Sequence, residues 1–213
     1  MRITGISLVA AALLFWLSWL LMPGVGVTDA EQIFRLVAAQ RPLVAASVVM
    51  QLISAVLYVP ALLGIVSDAK LGVTAARRSA GLLLVGAMGS AADAVLHLLA
   101  YAMTMPGLEI RTLVRVMAFM QGPGLLLLAP LILCFFLGGA GLSLAFARIR
   151  LVSRWNLRLH GIALAVAVIG GPLATREWVA SRAVGLITLG LISAAQAWIG
   201  IAMWMGRAKK SGI

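Results

Sequence analysis

Few residues in this chain can do chemistry, and most of those that can fall in two short stretches. Ser90, Asp93, His97 and Tyr101 follow one another at intervals of three and four. On a helix those intervals place all four within about an 80° arc of one face. Ser47, Gln51, Ser54 and Tyr58 share this spacing and fall within about a 60° arc. A carboxylate and an imidazole four residues apart meet on a helix surface, so Asp93 and His97 can form an ion pair or fix the ring's tautomer. Three chemistries suit such a pair. Asp93 could titrate in a desolvated site and relay protons. The pair could bind a polar or cationic substrate. Or His97 could be the axial ligand of a haem or chlorophyll-type pigment, with Asp93 supporting its other nitrogen. The plainer alternative is polar glue, since Ser, Gln and His side chains fasten membrane helices at ~0.6–2 kcal/mol each.

The rest of the composition leaves little else. The single cysteine, Cys134, lies in an apolar run and reads as packing. Zinc and iron–sulfur sites need several cysteines or histidines, and the only other histidine is His160. His160 follows Arg154, Trp155 and Arg158 and reads as an interfacial residue, too far from His97 in depth to share a haem. Met103, Met105, Met117 and Met120 cluster in sequence. Thioethers are soft ligands for Cu(I) or haem iron, although methionine in a membrane helix usually only fills space. No nucleophile–base pair or metal set is complete, so an enzyme is the least expected class.

The elements that must hold these residues are membrane spans. Of 213 residues, 63% are hydrophobic and 11% charged, and the mean hydropathy is +1.10. A soluble domain is about half apolar and a quarter charged. A span needs ~20 apolar residues, and six are legible, at 3–22, 43–66, 80–103, 122–146, 159–174 and 183–205. The fold expected is a single all-α domain, a bundle of six transmembrane helices. The first span reads as a retained helix: its apolar core is too long for a signal peptide and no small-x-small cleavage site follows it.

The net charge of +11 would suit nucleic acid, but here the excess sits in short loops, where it sets topology, and no nucleic-acid partner is expected. One side collects Arg2, Lys70, Arg77, Arg78, Arg148, Arg150, Arg154, Arg158, Arg207, Lys209 and Lys210, with Asp68 as its acid. The other has Arg35, Arg41, Arg111, Arg115, Arg176 and Arg182, with Asp29, Glu31, Glu109 and Glu177. Both termini are therefore expected in the cytoplasm. The basic loop with Arg148, Arg150, Arg154 and Arg158 is its strongest anchor, and anionic lipid the expected partner.

Two connections are more than turns. Thr28-Asp29-Ala30-Glu31 reads as a capping box, with Thr28 as cap and Glu31 reaching back. It opens an amphipathic helix over 29–40 that should lie on the outer surface. A second interfacial helix is expected over 113–120, separated from the fourth span by Gly122-Pro123-Gly124.

The second and third spans are consecutive and so antiparallel neighbours. Tyr58 and Ser90, Ser54 and Asp93, Gln51 and His97, and Ser47 and Tyr101 lie in pairs at matching depths. The two stripes are therefore expected to face each other as a ladder of hydrogen-bonding pairs. The third and sixth spans also look alike. Arg78-x-x-Gly81-Leu82-x-x-x-Gly86 matches Arg182-x-x-Gly185-Leu186-x-x-x-Gly190, and Ser90-Ala91-Ala92-Asp93-Ala94 matches Ser193-Ala194-Ala195-Gln196-Ala197. An inverted three-plus-three repeat would be a transporter signature, but a chain this rich in Ala, Gly and Leu gives such matches by composition alone. Pro60, Pro130 and Pro172 fall inside spans, where kinks are expected.

The length, the span count, the helix after the first span and the run Gln51-Leu52-Ile53-Ser54-Ala55-Val56-Leu57-Tyr58-Val59-Pro60 resemble the small six-helix inner-membrane proteins common in high-GC bacteria. That family has no assigned chemistry. The resemblance implies a bacterial inner membrane and carries over no functional residue. The function expected is that of a non-catalytic accessory subunit packing with other membrane subunits; the alternatives are a small proton-coupled or cation-binding transporter using Asp93 and His97, and a haem- or pigment-binding redox subunit with His97 as axial ligand.

Overall fold

The computed structural model describes residues 1–68, 71, 73–105, 107–176 and 180–206. Lys70, Glu177, Arg207, Lys209 and Lys210 lie outside the described residues. The chain is 86% helical, and no strand occurs among the described residues. Its helices are α1 (Arg2–Leu21), α2 (Ala30–Ala39), α3 (Arg41–Ser67), α4 (Thr74–Met103), α5 (Ile110–Phe119), α6 (Leu125–Arg148), α7 (Arg154–Thr175) and α8 (Ser181–Trp204). Six of these segments are long and apolar enough to cross a membrane, so the protein is a multi-pass helical membrane bundle.

The spans form a ring. α1 packs on α3 and α8, α3 on α4, α4 on α6 and α7 on α8, while the contact between α6 and α7 is slight. Small residues bring the helices close where lipid supplies no hydrophobic drive. A Cβ on Gly5 of α1 would stand 2.5 Å from the carbonyl oxygen of Gly200 on α8, and one on Gly86 of α4 would fall inside the backbone of Phe135 on α6. Between α1 and α3 the fastening is polar. The Ser47 hydroxyl donates to the Ser18 carbonyl and the Ser54 hydroxyl to the Ala11 carbonyl, both at 2.7 Å. Each donor lies seven residues from the other, as does each acceptor, so two antiparallel helices meet twice at an interval of two turns.

One end of the ring carries a cap. α2 buries Ile33, Phe34 and Val37 and exposes Glu31, Gln32 and Arg35. Its N-cap is Asp29, whose carboxylate accepts from the Gln32 amide at 2.7 Å. Thr28, the cap expected from sequence, is one residue too early. Glu31 pairs instead with Arg35 at 2.8 Å, both largely exposed, a pair worth little. α5 runs through a π-helical turn, Met120–Gly124, directly into α6. The expected break at Gly122-Pro123-Gly124 is therefore a widened turn: residues 110–148 form one helical segment of 39 residues. A π-turn bonds i to i+5, and such bulges are where a helix absorbs a residue that cannot donate.

The apolar interior is divided in two. One cluster, with Leu8, Phe15, Tyr58, Leu62, Ile65, Leu83, Phe135, Phe146, Ile199 and Met203, fills the ring toward the end where α1 begins. The other joins Ile33, Phe34 and Val37 of α2 to Met22, Val44, Val48, Met103, Met117 and Met120 beneath the cap. Gln51 and Asp93 lie between the two clusters along their helices.

Candidate functional site

Gln51 is the centre of the arrangement. It is buried on α3, 1% exposed, and its amide reaches two groups of α4. Nε2 donates to Asp93 Oδ2 at 2.8 Å, and Oε1 lies 3.2 Å from His97 Nδ1. The carboxylate accepts only, so the amide must turn its NH2 toward Asp93 and its oxygen toward the ring. Nδ1 then carries the proton it donates to Oε1, and Nε2 of a neutral His97 keeps its lone pair. Nδ1 also stands 3.7 Å from Asp93 Oδ2, with 18% of the His97 and 14% of the Asp93 side chain exposed. The i, i+4 spacing makes this pair local to α4; Gln51 ties it to α3. Trp19 of α1 meets the His97 ring edge to face, centroids 5.5 Å apart.

Asp93 lines two partly open clefts of the bundle. One, about 200 Å³, lies under the cap and is bounded by His97, Trp19, Met22, Val37, Met120 and the loop at Gly24–Val27. The other, about 210 Å³, is bounded by Gln51, Ser90, Gly86, Phe15, Phe135 and Phe136. Asp93, Trp19 and Leu125 belong to both walls.

The remaining residues of the two stripes go elsewhere. Ser47 and Ser54 face α1 rather than Tyr101 and Asp93. The Tyr58 hydroxyl donates to Gln196 Oε1 on α8 rather than meeting Ser90, whose own hydroxyl is buried without a partner. Tyr101 lies under the Arg41 guanidinium, 4.3 Å from ring centroid to carbon, and that guanidinium donates to the Thr104 carbonyl at 2.7 Å. Of the four expected pairs, only Gln51 with His97 is present. The reason is the ring: α3 touches α1 on one side and α4 on the other, so a single polar arc is shared between two neighbours.

A second polar group escaped the sequence reading. His160, expected at the interface, is 8% exposed, with Nδ1 3.3 Å from the Ser143 hydroxyl of α6. Asn156, one turn earlier on α7, donates to the Ala195 carbonyl of α8 at 2.7 Å. His160 Nε2 and Gln196 Nε2 are both buried without partners, and each lies 3.0 Å from where a Cβ on Gly139 would stand. Buried groups of this kind are ordinarily satisfied by internal water. The signal was the i, i+4 spacing of Asn156 and His160, with Ser193 and Gln196 on the facing span. Arg148 closes α6 and Arg154 opens α7, with Arg150 between them. Arg158 lies 4.4 Å from the Trp155 ring centroid.

Among the described residues no three His, Cys, Asp or Glu side chains converge in a way that could hold a metal. Met22 and Met120 share a cavity wall with His97, while Met103 and Met117 are buried in the cluster beneath the cap and Met105 is 49% exposed. No protein-family model, curated protein or solved structure matches the chain.

Proposed function

We propose that the protein is a small membrane carrier that binds a proton or a small cationic solute at Asp93. The observation that supports this is the position of the carboxylate: it forms part of the wall of two adjoining, partly open clefts. An ionised carboxylate at membrane depth costs at least ~2.5–3.5 kcal/mol unless protein, water or a counter-charge compensates. Gln51 supplies one hydrogen bond, and His97 is a neighbour that can gain a proton. A cation beside Asp93 supplies the missing charge, and a proton on Asp93 removes the need for it. Competition between the two for one oxygen pair is the elementary step of exchange. Trp19 and Leu125 line both clefts beside Asp93. In liposomes loaded with a pH-sensitive dye, the wild type should pass protons or exchange them for a small amine. Asp93→Asn should fold and lose that flux, since an amide cannot titrate. Flux in Asp93→Asn equal to wild type would defeat the proposal.

A second reading, an accessory subunit packed within a larger assembly, is favoured by α7. Only 11% of its most apolar window is buried, and it leans on α8 with little contact to α6. A neighbouring subunit covering that flank would co-purify in mild detergent. A haem or pigment is the poorest fit. Pockets for drug-sized ligands run to ~300–1,000 Å³, larger than the cavity of about 200 Å³ beside His97, and Trp19 already covers the ring. The asymmetry of arginine and lysine supports both termini in the cytoplasm, and the resemblance to six-helix inner-membrane proteins implies that membrane.

A further inference from the structure

The turn between α6 and α7 is built around an arginine in an unusual place. The Leu151 amide bonds back to the Phe146 carbonyl at 2.9 Å and the Arg150 amide to the Ala147 carbonyl at 3.2 Å. This pair of bonds is a Schellman motif, whose left-handed position is normally glycine. Here that position is Arg150, with φ of +57°, the one non-glycine residue with positive φ among the described residues. The strained residue lines an open pocket of about 1000 Å³ together with Arg148, Arg154 and Arg158.

No carboxylate lies within ion-pair distance of the four arginines among the described residues. Arg154 and Arg158 stand in the first two turns of α7, the positive end of the helix dipole, where no acidic residue and no side-chain cap is present. The pocket is basic at its rim and apolar along its wall, where Leu144, Leu157 and Trp198 line it. Leu144 is 39% exposed on the membrane-spanning surface of α6. A ligand that satisfies both parts carries an anion and a hydrocarbon chain.

We propose that this pocket is a binding site for one anionic phospholipid, its phosphate held by Arg148, Arg150, Arg154 and Arg158 and an acyl chain lying along Leu144 and Trp198. Arginine suits phosphate because its planar fork donates two bonds at once. Basic pockets between transmembrane helices take such headgroups. The apolar wall distinguishes a lipid from a free phosphate compound.

The full chain in neutral detergent micelles is titrated with phosphatidylglycerol, phosphatidylcholine or inorganic phosphate. Thermal melting and lipid retained in native mass spectrometry are read. Phosphatidylglycerol should bind at least about tenfold more tightly than phosphatidylcholine, and inorganic phosphate should have no effect. R150G should melt no lower than wild type without lipid, because glycine suits the left-handed position. R150G/R154Q should lose most of the preference. R77Q/R78Q removes the same charge from exposed positions of α4 outside the pocket and should keep it. The proposal is overturned if R150G/R154Q retains the wild-type preference, if R77Q/R78Q abolishes it equally, or if inorganic phosphate reproduces the shift.

Discussion

Replacing Asp93 and Gln51 singly and together by leucine separates the hydrogen bond seen in the bundle from the pairing suggested by depth alone. In the native protein Gln51 Nε2 donates to Asp93 at 2.8 Å. Side-chain hydrogen bonds within membrane proteins average ~0.6 kcal/mol, with a ceiling near 1.7. An ionised partner roughly doubles a hydrogen bond, so this one should contribute about 1–1.5 kcal/mol. Asp93→Leu leaves the buried amide of Gln51 without its acceptor. Gln51→Leu leaves the carboxylate without its donor, and should cost more. The double replacement orphans neither partner of that bond, and removal of both partners is often close to neutral. The coupling energy should therefore be about 1–1.5 kcal/mol. Reversible unfolding in mixed micelles of increasing sodium dodecyl sulfate measures it. Ser54→Ala is the control. Ser54 donates to the Ala11 carbonyl and shares no partner with Asp93, so Ser54→Ala with Asp93→Leu should be additive within ~0.5 kcal/mol. A Ser54–Asp93 coupling as large as that of Gln51–Asp93 would refute this reading of the site.

Three further outcomes follow from the packing and the charge pattern. Tyr58→Phe removes the donor to Gln196 Oε1 in an amide whose Nε2 already lacks a partner; stability should fall by ~1 kcal/mol, and Gln196→Leu in the same background should recover part of it in the same unfolding assay. Gly86→Val drives a side chain into the Phe135 backbone and should cost at least ~1–3 kcal/mol, whereas Gly81→Ala, with nothing within 4 Å of its Cβ position, should be neutral or gain up to ~1 kcal/mol. A single cysteine at Arg154 in a Cys134→Ala background should be labelled only after the membrane is opened and one at Asp29 in intact cells; the reverse pattern would invert the proposed topology.

The spans were legible because twenty apolar residues in sequence have few other uses, and α1, α3, α4, α6, α7 and α8 cover all six. The ends were less so. α7 begins at Arg154, five residues before the expected span, because arginines and Asn156 continue a helix beyond its apolar part. That extra turn carries His160 inward between α6 and α8. The π-turn was hidden because Gly122-Pro123-Gly124 has the composition of a break, and only a helix on each side shows that it is not one. For the site, the sequence placed Gln51 at the depth of His97 and within one turn of Asp93, since index and helical rise determine depth. It did not say which neighbour each residue of α3 would meet. That depends on the closure of the ring, and so Ser47, Ser54 and Tyr58 were assigned to α4 when they face α1 and α8.

The division of the apolar interior into two clusters has a consequence for the order in which the molecule comes apart. α2 and α5 belong only to the cluster under the cap, whereas α3 and α4 pack through both clusters and α1 and α6 through the larger one. Elements with fewer buried contacts open at lower free energy, in contiguous cooperative units. The backbone amides of α2 and α5 should therefore exchange with deuterium well before those of α1 and α8, in a step that leaves the ring intact. Ile33 and Val37 of α2 are withdrawn in that step, and they also line the cleft beside Asp93 and His97. Partial unfolding of this protein is therefore directional: its least stable unit uncovers one side of the carboxylate and leaves the aromatic wall of Phe15 and Phe135 in place on the other.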